Sequence, residues 1–259
     1  MNTNILVHKN NYSKTHSIIS HGCFDFFEDV RFINFHNNIY DLFFTMNPKT
    51  IILPIEEYTQ EIHTFINDNS IKKPKIVFTV DSFESFFGQY RNLINDLNKK
   101  QFLNFHLIVP AKLYSQLLED GINAEKLLAY NRLYNDHIFG FKELSRNNKV
   151  LCILDKNPQS VSLIKPYLYP NSKKHIVMIN NSEVAYDQNI GFMLDDDLAK
   201  ALNTYGSVID LSGCYEAEIC SCRTPYYDKP ESLLGEPSIL DVEITKMSSF
   251  IKQISEYLL

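Results

Sequence analysis

Asp210 and Glu218 are the two residues whose type and spacing best suit the binding of a polar ligand. Asp210 ends an apolar run that is typical of a strand, and Glu218 follows eight residues later on a predicted helix. A loop and helix that follow a parallel strand lie at the carboxyl edge of the sheet, where open α/β sheets bind ligands. A carboxylate there can accept hydrogen bonds from both hydroxyls of a ribose, and N–H groups of the turn can bind a pyrophosphate. The predicted nucleotide site therefore includes Ser212, Gly213 and Tyr215 of the turn.

Asp81 is the candidate general base in the first half of the chain. It directly follows the apolar run 75–80, which predicts a strand whose end places the acid at the edge of the sheet. A carboxylate in that position can remove the proton of an acceptor hydroxyl, and such general-base help contributes orders of magnitude in rate. The alternative is an N-cap for a helix that begins near Ser82. His16 and His21 follow the first predicted strand, where substrate contacts and an ordinary structural role would both fit.

Charge and composition narrow the classes of function. The 259 residues carry a formal net charge of -6, and 44% hydrophobic with 22% charged residues is ordinary for a globular protein. Nucleic-acid binding is disfavoured, because a protein that clamps a phosphate backbone usually presents a concentrated positive surface. With eight glycines and neither a G-x-G-x-x-G nor a P-loop pattern, a glycine-rich phosphate cradle is not expected. We expect no cofactor, since the nucleotide would be part of a substrate.

Metal binding and secretion are not indicated by the sequence. The acids at 195–197 stand at a predicted helix start rather than in an Asp-x-Asp context that would bind manganese. The five cysteines lack zinc spacing and are expected to be buried thiols in a reducing cytosol. They are Cys23, Cys152, Cys214, Cys220 and Cys222. No apolar run reaches membrane-spanning length and no signal-like segment is present, so we expect a cytoplasmic protein.

Short apolar runs alternate with amphipathic stretches along the chain, and this alternation predicts an α/β fold. Continuously apolar strands between helices are typical of a parallel sheet that is covered on both faces. In the first half the predicted strands are 5–8, 31–35, 50–54, 75–80 and 105–109, and the predicted helices are 37–46, 56–68 and 84–98. In the second half the predicted strands are 149–154, 175–179, 190–193 and 207–211, and the predicted helices are 159–167, 195–203 and 215–221.

The segment that begins at Asp210 resembles the retaining-type glycosyltransferases of the two-Rossmann, or GT-B, fold. Their C-terminal half often carries an acid, seven residues and a Glu, followed by a short run that ends in Cys-Gly-Thr-Pro. In this chain Asp210 and Glu218 take the acidic positions, and Cys222, Thr224 and Pro225 take the Cys, Thr and Pro. The resemblance implies that Glu218 grips the ribose of a nucleotide sugar and that Asp210 lies near the donor sugar.

The chain departs from that pattern in several places. The first acid is Asp rather than the usual Glu, and Arg223 replaces the Gly before Thr-Pro. The basic pair that often binds the donor diphosphate is only partly represented, with Lys156 as one candidate and Lys165 as a second. In the alternative interpretation, Asp210 caps the helix and Glu218 is a solvated acid on its surface.

The resemblance implies two Rossmann-like domains that face each other across a cleft. The predicted boundaries are 1–147 for an acceptor-side domain and 148–238 for a nucleotide-sugar-binding domain, with the polar stretch 145–148 as linker. Apolar residues in 239–259 recur at spacings of three and four, which predicts one long amphipathic helix. We expect that helix to cross back onto the first domain, and the alternative is a dimerisation helix.

The function implied is transfer of a sugar from a nucleoside-diphosphate sugar to an acceptor that the sequence does not identify. Catalysis would come from positioning the donor and stabilising the leaving diphosphate. The motif points to retention of configuration, whereas Asp81 as a base would point to inversion. Three other functions fit: a sugar-nucleotide epimerase, a catalytically inactive nucleotide-sugar-binding module, and a transferase acting on modified bases of phage DNA. The acidic charge disfavours DNA relative to a glycan or a small-molecule acceptor.

Overall fold

The computed structural model divides the chain into two compact units. Unit 1 consists of Met1–Leu133 together with Thr245–Leu259, and unit 2 consists of Tyr134–Ile244. The sequence analysis places its boundaries at 147/148 and 238/239 instead. The structure describes residues 5–9, 13–34, 39–68, 70, 72, 74–81, 88–99, 104–154, 158–167, 174–179 and 193–259.

Unit 1 is built on a six-stranded sheet in which every neighbouring pair of strands is parallel. The strands are β1 (Ile5–His8), β2 (Val30–Ile33), β3 (Thr50–Pro54), β4 (Lys75–Thr79), β5 (Phe105–Pro110) and β6 (Leu127–Tyr130). Their order in the sheet is β2-β1-β3-β4-β5-β6. On β1, Leu6 packs into the apolar cluster on one face, and Ile5 and Val7 pack into the cluster on the other. The sheet is buried on both faces, which confirms the predicted parallel α/β architecture.

Helices cover both faces of the sheet in unit 1. In this part of the chain they are α1 (Lys14–Phe26), α2 (Ile39–Met46), α3 (Gln60–Asn67), α4 (Gln89–Lys99) and α5 (Ala111–Glu119). Apolar residues of α2 to α5 share one cluster, while those of α1 belong to the cluster on the opposite face. Short 3₁₀ helices occur at Ile55–Glu57 and Ala124–Lys126, and a two-residue strand, β7 (Leu133–Tyr134), follows β6. α1, α5 and β6 have no counterpart among the predicted elements.

Unit 2 is built on a five-stranded sheet. Its strands are β8 (Lys149–Ile153), β9 (His175–Ile179), β10 (Ser207–Asp210), β11 (Pro225–Tyr227) and β12 (Ser238–Ile239), in the order β12-β11-β10-β8-β9. Only the β11–β12 pair is antiparallel within this sheet. Its helices are α6 (Pro158–Ile164), α7 (Asp195–Thr204) and α8 (Glu216–Ser221), with 3₁₀ turns at Lys165–Tyr167 and Pro230–Leu234. The predicted strand 190–193 lies outside the described residues except for its last position.

Both sheets share a feature of topology that marks ligand sites in α/β proteins. In each unit the first strand lies between the second and third strands in sequence, so that β1 is flanked by β2 and β3, and β8 by β9 and β10. The connections leave in opposite directions on the two sides of that strand. Ligands bind outside the carboxyl ends of the strands at such a switch point. In unit 2 the switch point holds Asp210, which is paired with Ile153.

The segment after β12 does not form the single long helix that the sequence predicts over 239–259, and that prediction is wrong. A strand, β13 (Thr245–Lys246), precedes two short helices, α9 (Met247–Gln253) and α10 (Ser255–Leu258). The apolar residues of 239–259 serve two different cores, because Leu240 and Ile244 pack in unit 2 whereas those from Met247 onward pack in unit 1. One straight helix with one apolar face cannot fill both.

The helices α9 and α10 complete the core of unit 1. Their buried apolar residues join the cluster that contains β1 and α1; they are Met247, Phe250, Ile251, Ile254 and Leu258. The hydroxyl of Thr50, at the start of β3, donates a hydrogen bond to the carbonyl of Leu258. Among the described residues, no helix combines the length and the hydrophobicity needed to span a bilayer.

Candidate functional site

Asp210 shapes the turn between β10 and α8 at the switch point of unit 2. Its side chain is buried, and both carboxylate oxygens accept hydrogen bonds from the turn that follows. Oδ1 accepts from the backbone N–H of Ser212 at 3.0 Å and from its hydroxyl at 2.6 Å. Oδ2 accepts from the backbone N–H of Tyr215 at 2.8 Å. Hydrogen bonds to a charged carboxylate are stronger than bonds between neutral groups. Asp210 therefore fixes the shape of the turn directly before the helix.

The turn presents its backbone at the carboxyl edge of the sheet. Gly213 and Cys214 are exposed at its tip, and Gly213 has a φ of +65°. This left-handed conformation costs a residue with a side chain about 1–2 kcal/mol, whereas glycine adopts it freely. The hydroxyl of Ser212 lies 3.3 Å from the backbone nitrogen of Cys214 and accepts its hydrogen bond. The predicted residues Ser212, Gly213 and Tyr215 therefore belong to one ordered turn.

Glu218 is buried, with 1% of its surface exposed, in the first turn of α8. The alternative interpretation, a solvated acid on the helix surface, is therefore wrong. Burial raises the pKa of Tyr134 to about 12, and the charges of Asp136 and Glu218 are among the further causes. Burial of an acidic side chain is costly, and acids in such settings are candidates for functional sites.

The Cys and Thr at the end of the motif have structural contacts in unit 2. The hydroxyl of Thr224 donates to the carbonyl of Leu202 in α7 at 2.6 Å. The side-chain amide of Asn203 donates to the sulfur of Cys222 at 3.5 Å and to the carbonyls of Gly140 and Ala199. These contacts tie the C-terminal end of α8 to α7 and so hold the sheet edge on which the turn is built.

Arg223 has a φ of +51°, in the left-handed region that favours glycine. In the pattern that the sequence resembles, a Gly stands at this position. The guanidinium of Arg223 lies 5.2 Å from the centre of the Phe141 ring, a cation–π contact that offsets part of the backbone strain.

Arg146 holds the C-terminal ends of two helices in unit 2, a role that the sequence analysis missed. Its guanidinium donates to the carbonyls of Leu202 and Tyr205 at 2.7 and 2.9 Å, at the end of α7. It also donates to the carbonyls of Cys222 and Arg223 at 3.1 and 3.4 Å, just past α8. Carbonyls in the last turn of a helix lack partners within the helix, and a cation is favoured there by the helix dipole. Arg146 is the one charged residue of the polar stretch 145–148, but no local pattern indicates which carbonyls it contacts.

Asp81, at the carboxyl end of β4 in unit 1, caps α1. Its Oδ1 accepts a hydrogen bond from the backbone N–H of Thr15 at 3.0 Å, beside the N-cap Ser13. The hydroxyl of Thr15 lies 2.8 Å from that of Tyr130, which donates to the carbonyl of Val80. The start of the helix that the sequence predicts near Ser82 lies within 82–87, outside the described residues. Asp81 is only partly buried and so also faces solvent at the sheet edge.

His16 is buried in α1 and has a structural role. Its Nε2 lies 2.7 Å from the carbonyl oxygen of His8, which can only accept, so Nε2 carries the proton. Nδ1 therefore accepts a hydrogen bond from the hydroxyl of Thr79 at 3.0 Å. Burial is the main cause that lowers the pKa of His16 to about 4, which keeps the ring neutral near pH 7. His21, on the same helix, is exposed.

The remaining predicted residues have varied surroundings. Lys156 lies outside the described residues, and Lys165 is exposed in the 3₁₀ turn after α6. Cys214 is exposed, which corrects the prediction of a buried thiol, and Cys220 is partly buried; the other three cysteines are buried. Within the described ranges, no group of three or more His, Cys, Asp or Glu side chains is arranged to hold a metal ion.

Comparison with known proteins relates the chain to others through its fold. No family model and no curated protein matches it by sequence. Among solved structures, HepE from Anabaena, in complex with UDP and glucose, matches with a TM-score of 0.55 and 11% identity, over 98% of this chain and 89% of that one. The chain has the GT-B type of fold.

Two further solved structures have lower similarity. A UDP-N-acetylglucosamine 2-epimerase from Listeria monocytogenes matches with a TM-score of 0.49 and 10% identity, over 100% of this chain and 88% of that one. The wall teichoic acid polymerase TagF matches with a TM-score of 0.49 and 11% identity, over 86% of this chain and 69% of that one.

Proposed function

We propose that the chain is a glycosyltransferase that uses a nucleoside-diphosphate sugar as donor. The observation that carries this proposal is the arrangement at the switch point of unit 2. There, Asp210 orders a turn with three hydrogen bonds, and the helix that follows buries the acid Glu218. The motif in which both acids lie resembles the nucleotide-sugar half of GT-B transferases. HepE, which shares the fold, was solved with UDP and glucose.

In this proposal the two acids have different tasks. Glu218 accepts hydrogen bonds from the ribose hydroxyls, since a carboxylate forms strong, charge-assisted bonds with such donors. Asp210 already binds three donors of the turn, so its main contribution is to hold that turn in a shape that fits the diphosphate. Ser212, Gly213 and Tyr215 then contact the donor, and such positioning lowers the barrier without a proton transfer. Lys156 is proposed as a further diphosphate contact.

Asp81 is the proposed general base for the acceptor hydroxyl. The hydrogen bond from Thr15 occupies Oδ1 and orients the carboxylate, while the partly exposed acid remains accessible at the carboxyl edge of β4. A base oriented by a backbone donor suits removal of a proton from a bound alcohol. The acceptor itself is not identified by these contacts.

A catalytically inactive nucleotide-sugar-binding module is the second candidate. One specific observation favours it: the proposed base Asp81 and the turn residue Asp210 already accept hydrogen bonds from backbone N–H groups. Carboxylates used as caps stabilise a fold without any role in a reaction. Turnover of a bound donor distinguishes this candidate from the transferase.

Binding of nucleoside diphosphates to matched variants tests the proposal. Titration calorimetry with UDP, GDP, CDP and ADP and their sugars should identify one base that binds. Glu218→Gln should weaken that binding about 10- to 100-fold, because a charge-assisted hydrogen bond contributes roughly 1.5–3 kcal/mol. Glu216→Gln on the same helix is the control and should leave the affinity within about twofold. Absence of binding by every nucleotide, or equal loss in both variants, would contradict the proposed site.

A further inference from the structure

A cavity of about 500 Å³ lies in unit 1, between α1 and the carboxyl ends of β1 and β2. Four residues of α1 contribute to it at spacings of three and four, which places them on one face of the helix. They are Ser17, Ser20, His21 and Phe24. The strands contribute Phe32 from β2, His8 from the end of β1 and Lys9 just after it. The volume is in the range of small-molecule sites.

One wall of this cavity is aromatic. Phe24 and Phe32 are 62% and 40% exposed, and their ring centres lie 6.0 Å apart at an angle of 42°. Adjacent phenyl rings that remain this exposed leave apolar surface in contact with water, which is a common mark of a binding surface. The flat face of a ring-shaped ligand can cover both, and aromatic packing of this kind is directional as well as favourable.

Among the residues that the structure describes, the rest of the lining is basic or hydroxylic and includes no carboxylate. Lys9 supplies an exposed ammonium group, and His8 and His21 supply imidazoles, although the whole chain has a net charge of -6. The Oε2 of Glu57, which is not one of the lining residues, lies 3.6 Å from the Nε2 of His8. The hydroxyl of Ser20 donates to the carbonyl of His16 and so offers its lone pairs to a ligand.

We propose that this cavity binds an anionic saccharide, meaning a single sugar ring that carries one carboxylate or phosphate group. The sugar ring packs on Phe24 and Phe32, the anionic group contacts Lys9, and sugar hydroxyls donate to Ser20 and interact with His21. The proposal rests on the proposed function in one respect, since it assigns this ligand as the acceptor. An inorganic anion would contact Lys9 but leave the two phenyl rings uncovered. A neutral sugar would cover the rings but form no ion pair with Lys9.

Binding of three hexoses to the full chain tests this site. Glucuronate, glucose 6-phosphate and glucose, titrated by ligand-observed NMR at low salt, separate the carboxylate and phosphate forms from the neutral ring. We expect at least one anionic sugar to bind about fivefold or more tightly than glucose, the gain of a favourable ion pair. Binding of all three with equal affinity, or of none at millimolar concentration, would overturn the proposal.

Matched variants test separately whether Lys9 binds the anionic group and whether Phe24 binds the sugar ring. Lys9→Gln should remove the preference for the anionic sugar, and Phe24→Ala should weaken both anionic and neutral sugars about fivefold through lost ring packing. Lys112→Gln and Phe44→Ala change an exposed lysine and an exposed phenylalanine elsewhere in unit 1 and should change nothing. An equal effect of a variant and its control would overturn the assignment.

The cavity and the nucleotide site can fail separately. Lys9→Gln and Phe24→Ala should leave the affinity for the nucleoside diphosphate unchanged, and Glu218→Gln should leave the affinity for the anionic sugar unchanged. If the chain binds the anionic sugar but no nucleotide, the proposed function is contradicted and the proposed sugar site is supported. Nucleotide binding without sugar binding would keep the proposed function and overturn this site.

Discussion

Gly22 of α1 packs so closely against Ile251 of α9 that a Cβ on the glycine would lie 2.6 Å from Cγ1 of the isoleucine. Met247 would lie 2.9 Å from the same added atom. The two helices therefore approach each other at a point where only a hydrogen atom fits. This approach holds the last helices of the chain against the sheet of unit 1.

Gly22→Ala should destabilise unit 1 by about 1–3 kcal/mol, because overpacking forces neighbouring side chains out of their rotamers. The usual gain from replacing a helical glycine by alanine, roughly 0.4–1 kcal/mol, offsets only part of this. Urea unfolding measures the change. Gly140→Ala is the control, since a Cβ there meets no atom within 4 Å. Equal stability of the two variants would show that α1 and α9 do not pack at Gly22.

Arg223→Gly should be more stable than Arg223→Ala by about 1 kcal/mol, the reverse of the order expected at an ordinary position. Both variants lose the contact with Phe141, so their difference isolates the backbone strain at a φ of +51°. Thermal and urea unfolding of the three proteins give the comparison. If alanine proves the more stable, the backbone at this position is not left-handed in solution.

Arg146→Ala should lower the free energy of unfolding by about 2–4 kcal/mol, since carbonyls at the ends of α7 and α8 lose a charged donor. Arg146→Lys should recover less than half of the loss, because one ammonium group cannot reach four carbonyls arranged around a planar fork. Lys200→Ala, an exposed cation on α7, serves as control and should stay within about 0.5 kcal/mol. Full recovery by lysine would mean that charge alone matters.

Stability should fall as the pH drops from about 6.5 to about 4, and His16 contributes to this loss. Its pKa is near 4 in the folded chain and near the ordinary 6.5 when unfolded, so in this window only the unfolded state binds the proton. The difference between the two pKa values corresponds to at most about 3.5 kcal/mol of stability. His106 adds to the effect, since burial and the charges of Lys75 and Lys126 lower its pKa to about 4.

His16→Gln isolates the first contribution. The amide can still donate to His8 and accept from Thr79, so the variant should fold, with lower stability at pH 7 and a shallower loss on acidification. Urea unfolding at several pH values between 4.5 and 7.5 measures the slope, with His106→Gln as a parallel series. A slope identical to that of the unchanged chain would remove His16 from the explanation.

Asp81→Asn and Asp81→Ala separate a cap from a base. As a cap, Asn should keep nearly all of the stability, whereas Ala should lose about 1 kcal/mol at the start of α1. As a base, both variants should lose about two to four decades in turnover with a bound acceptor. Thr15 is untouched in either variant, so loss of activity with intact stability assigns catalysis. Normal turnover by Asp81→Asn would show that Asp81 is not the general base and that it only caps α1.

The sequence was most informative where one physical requirement governs a segment. The strands at 50–54 and 175–179 were predicted correctly, because the buried part of a parallel strand is rich in apolar residues. Asp210 was placed correctly at a strand end for the same reason. α1 was not predicted, since its residues include Gly22 and several β-branched or hydroxylic side chains with weak helix preference.

Other features depend on contacts between residues that are distant in sequence. The roles of Arg146 and Asn203 arise from carbonyls that lie more than fifty residues away or on another segment, and no local pattern encodes them. The exposed or buried state of Glu218 likewise depends on how α8 packs. The sequence analysis predicts one helix over 239–259 because the apolar residues there have helical spacing. In the structure those residues are divided between the cores of the two units.

Because residues 245–259 belong to the same core as β1 and α1, unit 2 is inserted within unit 1 along the chain. A ribosome adds residues in order, and domains generally fold as units while they emerge. Unit 2 can thus finish folding first. Until α9 and α10 have been synthesised, one face of the sheet in unit 1 is incompletely covered. During synthesis the first half of this chain is then the part most exposed to aggregation and most dependent on chaperones.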